Sequence, residues 1–214
     1  MKTRASQQGF TLVELLVVLG IVAILGALTV PAITSGLRGS ALSQGAQKVT
    51  NEFTVARQTA LTRNRTTEVR FYQVAKAGLN GESAGSPATG KYRAMQSFVF
   101  DSSGNATPLD KVQWLPESVI IDAGSTLSTL LGTTLAKSWT VGDPQIALPT
   151  VGTAYNARAL QFLPDGATNL NPIGQQWFLT LHSLSFGDNL GALPKNFFIL
   201  QIDAVNGHVQ NYRP

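Results

Sequence analysis

The 214-residue chain carries 16 Lys and Arg against 12 Asp and Glu, a formal charge of +4, and it has no cysteine. The missing cysteines exclude disulfides and thiolate metal sites, which a chain of this length can do without because it buries an adequate core. A basic balance invites a nucleic-acid reading, but residues 1–70 hold eight Lys/Arg against three Glu and residues 71–214 hold eight against nine Asp/Glu, so the bulk of the chain has no basic excess.

Lys2 and Arg4 precede GFTLVELLVVLGIVAILGALTVPA, Gly9–Ala32, and no charged side chain falls between Glu14 and Arg38. At about 1.5 Å per residue, roughly 20 such residues cover the ~30 Å hydrocarbon core of a bilayer. The run is apolar all round, unlike a core helix with one buried stripe. The positive leader keeps the N-terminus cytoplasmic and exports the rest. A cleaved secretory signal has a shorter apolar core and a small-residue cleavage site; this run instead continues into a helical pattern.

Two residues in the run are out of place in lipid. A carboxylate at Glu14 costs roughly 2.5–3.5 kcal/mol on insertion scales, so it needs a partner, a role or a position from which it can snorkel. Pro31 removes a helix hydrogen bond and clashes with the preceding turn, and Gly26, Gly36 and Gly39 weaken the helix further. A kink is expected at Pro31, because the helical pattern resumes from about Ser35 to Asn64. Leu42, Ala46, Val49, Phe53, Ala56 and Ala60 are spaced 4, 3, 4, 3, 4 and fall on one stripe. Lys48, Glu52, Arg57 and Arg63 lie mostly off it, and Asn64 is the expected stop.

The remainder reads as β-rich. Strands are expected at Thr67–Tyr72, Tyr92–Phe100, Ser118–Asp122, Ala159–Leu163, Trp177–His182 and Phe197–Asp203. Asn206-Gly207 is a hairpin-type turn returning into His208–Tyr212. Gln73–Gly90 reads as a Gly/Ala/Ser-rich loop. Residues 124–156 are ambiguous, with Leu127, Leu130, Leu131 and Leu135 compatible with a short helix that Gly132 and repeated threonines oppose.

Catalytic and metal motifs fail on inspection. Gly85-Ser86-Pro87-Ala88-Thr89-Gly90-Lys91 matches the first seven positions of a phosphate-binding loop, but Tyr92 lacks the short hydroxyl that Mg²⁺ requires, and a strand rather than a helix follows. His182 and His208 sit on different expected strands without a ligand cluster. No nucleophile elbow stands out. The chain therefore reads as no enzyme, with no cofactor and no metal.

A basic leader ending in Gly9, then Phe10-Thr11-Leu12-Val13-Glu14-Leu15-Leu16-Val17-Val18, resembles the type III signal of type IV pilins and type II secretion pseudopilins. The resemblance implies cleavage between Gly9 and Phe10 by a prepilin peptidase, N-methylation of Phe10, and assembly through Glu14, the fifth residue of the mature chain, which meets the N-terminal amine of a neighbouring subunit. A carboxylate and an ammonium attract strongly at low dielectric. Pro31 stands where pilins bend or locally melt. Ala56-Arg57-Gln58-Thr59-Ala60-Leu61, Phe162-Leu163-Pro164-Asp165-Gly166 and the final strand pair resemble the GspH/FimT minor pseudopilins. The stretches QGAQKVTNEFTVARQTALTRNRTTEVRFYQ, QFLPDGATNL and NFFILQIDAVNGHVQNYRP are similar to the Verru_Chthon cassette protein D group of prepilin-like proteins.

These readings imply an α+β, pilin-like fold, with a long N-terminal helix, part membrane and part amphipathic, packed on an antiparallel sheet. The expected organisation is a leader over 1–9, a transmembrane and assembly helix over 10–34, and an exported domain over 35–214. The expected role is that of a structural minor subunit, single-pass in the inner membrane with a periplasmic C-terminal domain, then built into an envelope or extracellular filament. Its partners would be the prepilin peptidase, other pilin or pseudopilin subunits and the inner membrane, with no nucleic acid. The competing class is a DNA- or ligand-binding tip receptor. Some FimT relatives contact DNA through Gly-Arg-x-Arg at the C-terminal hairpin; here the place holds Gly207-His208-Val209-Gln210, with Arg213 nearby, and phosphate binding rests on Lys/Arg charge.

Overall fold

The structure, a computed structural model, describes residues 10–79, 81–132 and 135–213, and the side chains of 28–35 also lie outside the description. Contacts divide the chain into two units, Met1–Gly39 and Ser40–Pro214. The first helix, α1, is assigned over Leu12–Arg63.

Within the second unit, the expected stripe is the buried face of α1: Leu42, Ala46, Val49, Phe53, Ala56 and Ala60 are all essentially inaccessible. The small residues let the helix approach the sheet closely. A Cβ on Gly45 would meet Val119 Cγ1 at 3.1 Å, with Pro116 and Leu181 at 3.6 Å. Phe53 stacks edge-on against Phe71 and Phe162, with ring centroids 5.7 and 6.2 Å away, a favoured geometry for the ring quadrupoles. The helix stops at Arg63. Asn64 takes φ 50°, and Arg65 N–H donates back to the Ala60 carbonyl at 3.2 Å, a Schellman-type closure that satisfies an otherwise orphaned carbonyl.

Among the described residues the sheet has nine strands: β1 (Thr67–Val74), β2 (Lys91–Phe100), β3 (Ala106–Pro108), β4 (Gln113–Trp114), β5 (Val119–Ile121), β6 (Tyr155–Phe162), β7 (Trp177–Ser183), β8 (Phe197–Ile202) and β9 (Val209–Tyr212). Its main path runs β6-β1-β2-β5-β7-β8-β9, with β3 and β4 pairing β2. All these pairings are antiparallel. The architecture is α+β, with one helix packed on an antiparallel sheet.

The structure adds to or changes the sequence reading at four points. β6 begins at Tyr155, four residues before the expected Ala159, because pairing with β1 holds Asn156 and Arg158 in the ladder despite their polarity. The short β3 and β4 arise from tertiary pairing with β2 that local periodicity does not reveal. In 124–156, Thr129–Leu131 forms a 3-10 turn, and most of the described segment is loop. The Asn206-Gly207 turn belongs to a wider loop. Asp203 N–H donates to the His208 carbonyl at 2.9 Å and Gly207 N–H to the Asp203 carbonyl at 2.9 Å. Gly207 is required there, since it has φ 64° and a Cβ would lie 2.6 Å from the Gly166 carbonyl oxygen.

Both faces of the sheet are covered. Val69 and Phe71 face the helix core, while Tyr72 and Val74 join a second cluster with Ala94, Leu148, Tyr155 and Ala157. On that second face Arg70 Nε donates to Glu68 at 2.6 Å and Nη2 to Asp143 at 2.5 Å, and Lys137 pairs with Glu68 at 2.9 Å and with Asp143. The guanidinium lies 3.6 Å from the Phe98 ring centroid. Two cations and two anions thus enter the interior as a neutral group, the condition under which buried charge is tolerated.

Two further buried groups make stability depend on pH. Glu52 on α1 accepts from Ser97 Oγ at 2.5 Å, and burial, with Asp110 nearby, pushes its carboxyl up to about 7. At His182, burial disfavours the charge, but hydrogen bonds to Asp122 Oδ2 and the Ser183 carbonyl, each 3.0 Å, outweigh it and raise its affinity for a proton. The folded form therefore holds more protons than the unfolded chain at both sites. Stability from each is complete below the unfolded value, near 4.5 for Glu52 and 6.5 for His182, and is lost as pH rises through the raised folded value.

Phe53→Ala should destabilise a fragment beginning at Ser35 by about 3–5 kcal/mol in denaturant unfolding, as expected for an aromatic removed from a packed core. A change within about 0.5 kcal/mol would show that the ring is not core. Glu52→Gln, which keeps an acceptor for Ser97, should raise stability at pH 8 by about 1–2 kcal/mol and leave it nearly unchanged at pH 4. Equal effects at both pH values would contradict the buried-acid assignment.

Candidate functional site

The apolar run forms the first part of α1, and its described side chains, from Phe10 to Ala27, are all exposed, the large apolar ones from Phe10 at 82 % to Val17 and Val18 at 52 %. Among the described residues no helix is long and apolar enough to cross a membrane. The side chains described in the run end at Ala27, short of the roughly 20 residues that a bilayer core takes.

Glu14 sits in the first turn of α1. Its Oε2 accepts from Thr11 N–H at 3.0 Å and from Thr11 Oγ1–H at 2.9 Å, while Glu14 N–H donates to Thr11 Oγ1 at 3.2 Å. This is a reciprocal capping box, in which the cap hydroxyl and the third helical side chain satisfy each other's backbone donors. The Thr11-x-x-Glu14 spacing announces it in the sequence, but the apolar surroundings draw attention to the charge rather than to the cap. Gly9 lies outside the described residues; Phe10 is exposed and precedes the helix. The helix assignment runs through Pro31, whose side chain is outside the description.

In the second unit, three separated stretches singled out in the sequence come together. Arg57 on α1 donates from Nε to the Asn206 carbonyl at 2.8 Å. Gly166, in the loop after β6, lies against Leu61 and Arg57 and also limits Gly207. Thr168 N–H and Oγ1–H both donate to the Ala204 carbonyl, at 3.1 and 2.9 Å. The helix end, the Phe162–Gly166 loop and the C-terminal hairpin form one knot of side-chain and backbone contacts.

Other sequence candidates resolve into structural roles. Pro87–Thr89 is a 3-10 turn leading into β2, so the partial phosphate-loop match has no helix behind it. His182 is fully buried on β7 against Asp122, whose carboxylate also takes backbone donors from Gly124 and Leu190. An acceptor beside each ring nitrogen favours the doubly protonated imidazole and outweighs the burial that opposes it, which raises the proton affinity of His182. His208 N–H donates to the Asn206 side chain in the hairpin loop. Arg213 donates to Ser43 Oγ at 2.7 Å. Among the described residues no group of three or more His, Asp and Glu is arranged to hold a metal ion.

Residues 4–30 match the family described as the prokaryotic N-terminal methylation motif. No curated protein matches the chain. Among solved structures, the chain is similar to the type IV minor pilin FimU of Pseudomonas aeruginosa, at 14 % identity and a TM-score of 0.42, over 81 % of this chain and 92 % of that one. It is also similar to the minor pseudopilin EpsH from the Type 2 Secretion System of Vibrio cholerae, at 10 % identity and a TM-score of 0.42, over 81 % of this chain and 97 % of that one. The methylation motif thus opens a helix whose later part packs against an antiparallel sheet.

Proposed function

We propose that the chain is a structural minor pilin or pseudopilin subunit, inserted in the inner membrane as a prepilin, processed, and assembled into a type IV pilus or a type II secretion-like pseudopilus. The observation that carries this reading is the methylation motif over residues 4–30, leading into a helix whose described apolar side chains are exposed on every side. A helix of that kind is not at rest in water; lipid first and neighbouring subunits later supply the cover. Residues 1–9 are the leader, 10–34 the transmembrane and assembly segment, and 35–214 the exported, periplasmic domain, with the N-terminus cytoplasmic. The prepilin peptidase, other subunits and the inner membrane are its partners, and its role is structural rather than enzymatic.

Cleavage between Gly9 and Phe10 leaves Thr11 and Glu14 intact, so the capping box survives processing. Both cap hydrogen bonds fall on Oε2 of Glu14. The carboxylate can therefore hold its own helix start while Oε1 meets the methylated amine of Phe10 on a neighbour. A charge-assisted contact at low dielectric fixes the height of one subunit against the next, and Pro31 provides the local weakness for the helix to adapt. The DNA-receptor alternative gains no support from the hairpin: Arg213, the cation it retains, is engaged with Ser43.

Mass spectrometry of the native protein should find a mature N-terminus at an N-methylated Phe10. An intact leader in cells with active peptidase, or a terminus after Ala32, would remove the prepilin reading. Glu14→Leu should leave insertion and cleavage intact, since the apolar helix still anchors, but should lower cross-linking to other subunits about tenfold or more. Glu14→Asp should be intermediate because its arm is shorter. Undiminished cross-linking of Glu14→Leu at equal membrane levels would show that the acid is not the register contact.

A further inference from the structure

In the ion group on the second face of the sheet, Lys137 Nζ touches two carboxylates at once, Oε1 of Glu68 at 2.9 Å and Oδ2 of Asp143. None of the four side chains in the group is more than 9 % exposed. The Phe100 and Trp139 rings each stand 5.7 Å from Nζ, and Phe98 lies under the Arg70 guanidinium. An amine held against a carboxyl carbon and away from water has an option besides the ion pair, which is condensation to an amide. Fixed proximity favours such a step with effective molarities of about 10⁵–10⁸ M.

The backbone has already brought the two ends together. Thr140 N–H donates to the Asp143 carbonyl at 3.0 Å and Asp143 N–H to the Thr140 carbonyl at 3.1 Å, while Lys137 N–H is fixed on the Ala157 carbonyl at 3.1 Å. The remaining groups suit the chemistry. Both oxygens of Glu68 are within 3.2 Å of Nζ, and Gln161 Nε2 holds that carboxylate by donating to Oε2 at 2.9 Å. Arg70 Nη2 donates to Oδ1 of Asp143 at 2.5 Å, the oxygen on which negative charge builds when the carboxyl carbon is attacked. Arg70 Nη1 is buried with no hydrogen-bond partner, so the ion group as it stands leaves a donor unmatched. Condensation would remove one cation and one anion from the interior and leave Arg70 and Glu68 as a neutral pair, which relieves the cost of burying four charges.

We propose that Lys137 and Asp143 condense to an isopeptide bond in the folded protein, a self-catalysed modification that closes residues 137–143 into a ring. One proton passes from Nζ to Oδ2 across the ion pair, which leaves an amine and a carboxylic acid. Nζ attacks Cγ, and the oxyanion forms on Oδ1 against Arg70. Glu68 takes a second proton from Nζ and delivers it to Oδ2, which departs as water when its bond to Cγ breaks. Nζ keeps its third hydrogen as the amide N–H, Glu68 ends as it began, and nothing is oxidised or reduced. The ring fixes part of the loop that covers this face, in a chain with no cysteine for a disulfide. Every group involved lies in the second unit, so the inference stands independently of how α1 assembles.

Trypsin reads the bond directly, because Lys137 is the one internal cleavage site between Val112 and Arg158. An unlinked chain gives Val112–Lys137 and Ser138–Arg158. A linked chain gives Val112–Arg158 in one piece, lighter by one water. Asp143 precedes Pro144, which has no N–H to close a succinimide, so that route to water loss at Asp143 is shut. The full chain, folded in lipid nanodiscs and then denatured and digested, should give the linked peptide, with fragmentation placing the loss between Lys137 and Asp143. Unlinked peptides from the folded wild-type chain overturn the proposal. Glu68→Gln lacks the proton carrier and should lower the linked fraction about tenfold or more at equal incubation. A folded Glu68→Gln with wild-type linkage overturns it. If Glu68→Gln does not fold, the wild-type chain recovered from inclusion bodies in guanidinium decides: it should be unlinked and gain the bond on refolding, and a bond already present before refolding overturns the proposal.

Discussion

The whole chain depends on one helix that meets two different surroundings along its length. From Leu12 to Ala27 the side chains of α1, Glu14 apart, are apolar on all sides and exposed. From Leu42 to Ala60 one apolar stripe is buried against the sheet. A helix apolar all round gains stability only where water is excluded from its whole circumference, whereas a one-sided helix needs a single partner surface. The second requirement is met within the chain and the first is not. That difference gives the second unit a core of its own and leaves the N-terminal part of the helix to be covered by something else.

The sheet answers the stripe with tight packing. Small residues at 45, 46, 56 and 60 bring the helix backbone close, and Phe53 fills the space between Phe71 and Phe162. The far face is closed by a long loop whose Lys137 and Asp143 complete the ion group around Arg70 and Glu68. Such a group adds little net stability over an apolar one, but once formed it penalises any arrangement that separates its members. The loop is thereby held in one position over the sheet.

Much of this was legible in the sequence, and what was missed has physical causes. The stripe from Leu42 to Ala60 follows a 3.6-residue period, which depends only on helix geometry, and all six positions are buried. Asn64 was legible as a stop because its αL conformation is a local property. The buried charges were not: Glu68 and Arg70 alternate with Val69 and Phe71 as a solvent face would, and only the distant Lys137 and Asp143 reveal that the face is covered. Glu52 lies off the stripe by periodicity, yet it reaches Ser97 across the helix–sheet interface. At the candidate site, the positions of Gly9, Phe10, Glu14 and Pro31 came from motif and resemblance, and the cap formed by Thr11 and Glu14 was written in their spacing but obscured by the apolar context.

The central claim is that the exposed apolar part of α1 is covered by other subunits once the chain has left the bilayer. Because the chain has no cysteine, a single Val17→Cys variant reports on that surface without interference. Native filaments carrying it would be treated with a short bismaleimide, alongside partner subunits bearing a cysteine at the corresponding helical position. The account predicts specific cross-links between the helices in filaments and few in membranes before assembly. Filaments that lack the chain, or that hold it with Val17→Cys freely labelled by a water-soluble maleimide and no cross-link formed, would contradict it.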